Sequence, residues 1–410
     1  MGFLKTILFI GTNKSGSSRD AIMAANNLGY HTVLFTKNAK QMQQRDQYPD
    51  VHKMIYIDTD NLKVMKEEIK LLRSNGLDIK VIVSFIDTYV CSASLLCDEF
   101  CENKFSSEAI KLMNNKEQTR LFLKNQPYTP KFTVIKPGKE ISFESILPMF
   151  TFPLMVKSPS STGSKDVLLA ENKDQLLAHT LMLREKDPKE SIIIEEYIVG
   201  DQYLVEAVVY NKKVMIAGVI EQEITSGKRF IITGYGVMVN VPEDIMAGIK
   251  EVLYSIVEQF GIVNGALHLE LRHAKTGWKL IEINPRISGG AMNRMIKAAY
   301  GYSLVEETLK LHLGGKPSII PMYKKFVFTQ FKIIYEKGVL ERVTGKGRAR
   351  KSPGVVEIYV KPKKGTVLFP PLSMGHRYAY VIATGSSMEE AKNYAKNALK
   401  EIQFHLNKEK

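Results

Sequence analysis

The sequence predicts a mixed α/β and α+β architecture. An N-terminal doubly wound parallel sheet comes first, then a central region built round one polar hairpin, then a small C-terminal α+β lobe. Three observations predict it. Short apolar strands alternate with amphipathic helices from residue 1 to about 104, the pattern of parallel strands joined by helical crossovers. Leu267–Arg286 reads as two alternating strands flanking Lys275-Thr276-Gly277. After Gly315 several strands lead into a single helix.

In chain order, Thr6–Ile10 is an apolar strand, Asp20–Leu28 a helix and Thr32–Phe35 a second strand. Met54–Ile57, the helix Leu62–Leu72 and the buried strand Val81–Phe85 complete the unit. Such sheets bind ligands beyond the carboxyl ends of their strands, which puts Gly11–Ser18 and Ser84–Asp87 at a site edge. Gly11–Ser18 nearly has P-loop spacing, but Ser17 stands where the phosphate-binding lysine is required, so it reads as a strand-to-helix turn.

A new unit opens at Asn115-Lys116, where a helix begins after a polar break. Phe152–Lys157 is a strand ending in lysine, followed by the small-residue loop Ser158–Lys165, whose backbone N–H groups are free to surround phosphate oxygens. Ser191–Tyr203 is an apolar strand running into a polar hinge and on into Leu204–Val209. Glu221–Asn240 suggests a loop or ragged hairpin over the site, and Pro242–Phe260 an amphipathic helix with proline in its first turn. Val327–Ile334, Val355–Val360, Thr366–Leu368 and Tyr378–Thr384 read as strands, and Ser387–His405 as one helix opened by serine. The domains expected are 1–112, 113–198, 199–315 and 316–410.

The hairpin carries the chemistry. A three-residue loop pairs Ala274 with Trp278, and counting outward sets Glu270 opposite Glu282 and His268 opposite Asn284. These four share one face, while Leu267, Leu269, Leu271, Ile281 and Ile283 take the other. Facing carboxylates repel unless a cation lies between them, and a hard divalent ion suits oxygen ligands. An ordinary charged face is the alternative, and a one-residue slip would separate the pair. Pro285 stops the strand, and Arg286 and Ile-Ser-Gly-Gly follow.

The totals narrow the class. The chain has 410 residues, 44% hydrophobic and 24% charged, ordinary for a globular protein of a few domains. It has no apolar run long enough for a membrane span, and its start reads as a strand and not a signal peptide. Cys91, Cys97 and Cys101 cannot frame a disulfide scaffold and fit a buried helix face in a reducing cytoplasm. The net charge of +14 is spread along the chain, apart from Lys346–Lys351 and Lys361–Lys364, and no nucleic-acid module accompanies it.

His-Leu-Glu-Leu-Arg followed by Leu-Ile-Glu-Ile-Asn-Pro-Arg-Ile-Ser-Gly-Gly resembles the metal-binding end of the ATP-grasp superfamily. The strand-and-loop piece at 152–165 and the strand-and-hinge piece at 191–203 lie upstream in family order. The layout and the Ala-Thr-Gly-x-Ser-x-Glu-Glu-Ala turn into the last helix are most like bacterial L-amino-acid (dipeptide) ligases. The resemblance implies an ATP-grasp fold and an enzyme that activates a carboxylate as an acyl phosphate and couples it to an amine. Its cofactors would be ATP and two Mg²⁺, with Mn²⁺ able to substitute. Its substrates would be L-amino acids, with neither nucleic acid nor membrane as partner and a homodimer left open.

By the same resemblance Glu270, Glu282 and Asn284 match the metal ligands, and Arg286 the arginine on the transferred phosphate. Lys116 and Lys157 match the phosphate lysines, with Ser164 in the loop. Glu195 would meet the adenine amine, and the backbone of Glu196, Tyr197 and Ile198 its ring edge. Gln202 stands where the family has a ribose-binding glutamate. Ser84, Asp87, Gly289 and Gly290, with Arg286, are candidate substrate contacts. Asp87 either caps the helix starting near Thr88 or pairs with a basic amino acid such as arginine. His268 either accepts the attacking amine's proton or orients Glu270. Segments Ser158–Lys165 and Glu223–Gly236 are candidate lids. Other ATP-grasp ligases (a carboxylase subunit, a purine-pathway ligase, a D-alanine–D-alanine-type ligase) and a non-catalytic ATP-binding regulator are the alternatives.

Overall fold

The computed structural model describes residues 4–103, 105–139, 143–160, 166–225, 231–371 and 373–407. Ser164, the rest of 161–165 and the 226–230 part of the second candidate lid lie outside the described residues.

The N-terminal strands form a parallel sheet in the order Lys53–Tyr56, His31–Thr36, Leu4–Ile10, Leu77–Val83. Ile7 to Ile10 and Val33 to Phe35 are buried almost completely, as continuous apolar runs in a covered parallel sheet require. The last strand ends at Val83, so Ser84 and Asp87 do lie beyond its carboxyl end. A second, antiparallel sheet follows, ordered Phe132–Ile135, Ile192–Glu196, Leu154–Lys157, Val167–Ala170, with the helix Lys173–Lys186 against it.

The third sheet has eight strands: Gly277–Asn284, Gly265–Ala274, Gly200–Tyr210, Lys213–Thr225, Ile231–Val237, Phe326–Lys332, Ala379–Gly385 and Val355–Val360. The described parts of the 221–240 segment pair as antiparallel strands, irregular at Glu223/Ile224. Strands expected in a C-terminal lobe join this sheet directly, through Gly234 opposite Gln330. The last helix is Met388–Glu401, capped by Ser387 Oγ accepting from the Glu390 N–H at 3.1 Å. It stops earlier than expected, and Gln403–Asn407 forms a strand beside Gly338–Thr344. Packing of Leu406 in a satellite cluster with Leu340 and Leu368 overrides the helical reading there.

The main core joins the N-terminal sheet to the large sheet, through Ile287, Met295 and Ile296. A second core lies behind the hairpin, where Leu267, Leu269 and Leu271 meet Ile249, Leu253 and Ile256 of the helix Glu243–Gln259. Each such side chain contributes about 1.5–3 kcal/mol of burial, so the hairpin's apolar face fixes where its polar face points.

Candidate active site

The hairpin turn is one residue shorter than expected: Ala274 pairs with Gly277, whose φ of +98° suits glycine, in place of Trp278. A shorter turn alone would put Glu282 on the wrong face. A bulge at Ile281 cancels the slip, so Glu270 faces Glu282 and His268 faces Asn284, as the sequence predicts. The bulge also changes the apolar face. Leu280, fully buried, enters the core where Ile281 was expected, and Ile281 is half-buried.

The strand Gly200–Tyr210 lies on the hairpin's other side, with Gln202 opposite Arg272, Leu204 opposite Glu270 and Glu206 opposite His268. Lys116, first residue of the helix Lys116–Phe122, brings its ammonium 3.3 Å from Glu282 Oε1. Burial alone would raise the Glu282 carboxyl, but Lys116 reverses this and holds it below the usual range. Glu270 is raised, by burial and then by the charge of Glu282. Two half-buried acids side by side, one pushed toward its neutral form, are a site short of positive charge.

Among the described residues no group of three or more His, Cys, Asp and Glu is arranged to hold a metal ion by itself. A cation here would therefore rest on two carboxylates, the Asn284 amide and oxygens of a substrate. That is how Mg²⁺ is usually held, by one or two carboxylates together with phosphate. The donor set fits the ion.

His268 is not hydrogen-bonded to Glu270. Its Nδ1 lies 2.6 Å from Glu206 Oε1, and both residues are buried. Burial would lower the imidazole; Glu206 reverses this and raises it. The carboxylate in turn sits below its usual range because His268 and Ser288 outweigh burial. Glu206 Oε2 also accepts from the Ser288 N–H at 3.0 Å, tying the hairpin to the loop beyond Arg286.

Gln202, the expected ribose contact, is engaged within the fold. Its Nε2 donates to Glu270 Oε2 at 2.9 Å and its Oε1 accepts from Arg272 at 3.0 Å, so the amide orients a candidate metal ligand. Arg272 also donates to the Ile198 carbonyl at 2.5 Å.

Glu195, the expected adenine contact, is likewise engaged within the fold. Both oxygens are taken by cations: Arg120 Nε at 2.6 Å and Lys157 Nζ at 2.5 Å. Burial would raise Glu195, yet these two charges bring it down to about 2. The Glu196 N–H donates to the Lys131 carbonyl and the Tyr197 N–H to the Pro153 carbonyl, so these hinge groups are also engaged within the fold. Arg120 went unnoticed in the sequence, although its spacing of four from Lys116 was a signal for one shared helix face. Glu206, a lone charge within Tyr-Leu-Val-Glu-Ala-Val-Val, was another.

Asp87 is in the first turn of the helix Asp87–Phe100 and is not its cap; Ile86 occupies that position. Its carboxylate accepts from Arg286 Nε at 2.5 Å, and the guanidinium also donates to the Ile287 carbonyl at 2.8 Å. The predicted phosphate arginine and the predicted substrate aspartate thus hold each other. Ser84 Oγ donates to the Ile10 carbonyl at 2.8 Å and is occupied by the fold, although the residue lines a narrow, mostly apolar cleft with Phe85, Arg286 and His312. Burial brings His312 down to about 4. Gly289 and Gly290 are exposed, with open space where a Cβ would stand. The 11–18 turn is a docking device: Ser17 Oγ donates to the Ser288 carbonyl, and Asn293 Nδ2 donates to that serine hydroxyl at 2.7 Å.

A family model described as an ATP-grasp domain matches residues 150–294, and one described as L-amino acid ligase C-terminal domain 2 matches residues 330–407. Carnosine synthase 1 from Gallus gallus is 24% identical over 271 residues, 62% of this chain and 29% of that protein. The L-arginine-specific L-amino acid ligase of Bacillus subtilis is 21% identical over 222 residues, 53% of this chain and 54% of that one. The chain thus spans a third to half of these relatives. Among solved structures, L-amino acid ligase from Bacillus licheniformis superposes with a TM-score of 0.82 at 16% identity, covering 100% of both chains. Phosphoribosylglycinamide synthetase from Anaerococcus prevotii gives 0.76 at 18% identity, covering 98% of this chain and 100% of that one. At such identities the superpositions establish the fold.

Proposed function

We propose, from the premise that the chain belongs to the ATP-grasp superfamily of ATP-dependent carboxylate–amine ligases, that it joins two L-amino acids into a dipeptide. An oxygen of the first amino acid's carboxylate attacks the γ-phosphorus of ATP and ADP leaves. The neutral amine of the second attacks the resulting acyl carbon, and phosphate departs with the carboxylate oxygen. Phosphorylation is needed because a bare carboxylate would have to expel oxide.

The observation that carries this reading is the half-buried Glu270–Glu282 pair with Asn284 beside it, edged by Lys116. Glu270, Glu282 and Asn284 would hold Mg²⁺, which when bound would neutralise phosphate charge and favour in-line transfer. Lys116 and Lys157 supply positive charge to the phosphates. Arg286 steadies the migrating phosphoryl oxygens and then the tetrahedral adduct. Gln202 and Arg272 orient Glu270, and the His268–Glu206 pair fixes the hairpin against the Ser288 loop. With Nδ1 committed to a buried carboxylate, His268 is better suited to that positioning role than to accepting the amine's proton.

A preference for a basic amino acid draws support from the arginine-specific relative. Such a substrate would have to compete with Arg286 for Asp87. Purified protein given Mg²⁺, ATP and pairs of L-amino acids should release phosphate and yield a dipeptide visible by mass. No ATP consumption with any pair would refute the reading.

A further inference from the structure

We propose that Arg120 is a positioning residue for this reaction, an inference that rests on the ligase reading above. One guanidinium performs two separable tasks: it keeps Glu195 compensated, so that Lys157 can turn to a phosphate, and it holds the bulge that aligns the carboxylate pair.

The first task follows from charge. A buried carboxylate needs one cation, and removing its only partner leaves an uncompensated buried charge. Glu195 has two, Arg120 and Lys157, all three less than a tenth exposed. The cluster therefore carries one surplus positive charge. If Lys157 were the sole partner, moving it to a phosphate would strand Glu195. With Arg120 in place, Lys157 can leave and the pair that remains is neutral.

The second task follows from geometry. Arg120 Nη2 donates to the carbonyl of Ile281 at 2.8 Å. Ile281 is the bulged residue, skipped by the ladder, and Glu282 faces Glu270 only because of that skip. The strand Gly277–Asn284 is the edge of the eight-stranded sheet, with no further strand among the described residues to hold it. The helix Lys116–Phe122 and the chain after it cover that edge instead. Lys116 reaches Glu282, Arg120 reaches Ile281, and the Leu280 N–H donates to the Tyr128 carbonyl at 2.7 Å. Lys116 and Arg120, four apart on one helix face, thus address adjacent residues of the strand.

Two variants separate the tasks. Arg120→Met removes both, so ATP binding measured without turnover should weaken about tenfold and kcat should fall about tenfold or more. Arg120→Lys restores the charge beside Glu195 but lacks the planar fork that grips Glu195 and Ile281 together. It should recover ATP affinity to within about threefold of wild type while kcat stays about tenfold down. A lysine variant with wild-type kcat, or a methionine variant with wild-type ATP affinity, overturns the proposal. If Arg120→Met does not fold, the double change Arg120→Met with Glu195→Leu replaces an ion pair by apolar groups and should fold. It too should show kcat about tenfold down, and full turnover by it overturns the proposal. Active wild type with unaffected variants removes this inference alone; wild type that never binds ATP removes the ligase reading and this one with it.

Discussion

The two carboxylate sites of the candidate active site have opposite charge balances. Glu195, on the small sheet, is one acid between two bases, and its carboxyl is pulled down to about 2. Glu270 and Glu282, on the large sheet, are two acids with Lys116 beside one of them, and Glu270 is pushed up by burial and by its neighbour. A site with surplus positive charge can lend a cation to a phosphate; a site with surplus negative charge takes one from solution. A nucleotide tail accompanied by Mg²⁺ would satisfy both at once, so an imbalance unfavourable in each sheet alone would suit a ligand shared between them.

The comparison breaks most severely at the acidic pair. Glu282→Gln should lower turnover by about 10²–10³-fold, the scale for losing one group that stabilises developing charge. Its thermal stability should hold or rise slightly, because a like-charge contact goes with it. Activity and melting curves together check this; turnover near wild type would contradict the assignment. The same change on the other side has the reverse signature. Glu195→Gln leaves Arg120 and Lys157 facing each other in the interior and should destabilise the fold by about 3–5 kcal/mol, read by denaturant unfolding.

Acid sharpens the contrast. Glu195 is lowered from 4.5 to about 2, so its contribution is fully present above about pH 4.5 and is lost as pH falls toward about 2. Wild type should lose stability across that window. A pair in which both charges are absent, Arg120→Met with Glu195→Leu, should show a flatter profile there. Equal slopes would mean the buried cluster is not what titrates.

Smaller effects test what surrounds the pair. Asp87→Ala removes a charge-assisted bond to Arg286 worth about 1.5–3 kcal/mol, so rates should fall about tenfold or somewhat more. Because the lost contact is to Arg286, arginine and a neutral amino acid should suffer alike; a loss confined to arginine would instead assign Asp87 to the substrate. Ser387→Ala should cost about 1 kcal/mol of stability through its lost cap and leave turnover unchanged.

Much of this was legible in the sequence, for reasons that also explain the misses. Alternation and turn residues revealed the parallel sheet and the hairpin because both are local. The pairing of Glu270 with Glu282 came out right through two errors that cancel, a turn one residue too long and an unseen bulge at Ile281. A bulge depends on what grips it, and Arg120 lies 161 residues away from Ile281 in the chain. Partnerships of this reach were out of sight: Glu206 with His268, Asp87 with Arg286, Gln202 with Glu270. The two cations beside Glu195 were equally out of sight, although a buried carboxylate needs such partners. The C-terminal strand Gln403–Asn407 was hidden by helix-forming residues directly before it.

The most direct measurement is a titration of Mg²⁺ and ATP onto purified wild type and onto the double variant Glu270→Gln, Glu282→Gln, with phosphate release followed in the presence of amino-acid pairs. Wild type should bind Mg-ATP and release phosphate, and the folded double variant should do neither. Undiminished metal-dependent ATP turnover in that variant would contradict the claim that these two carboxylates gather the cation.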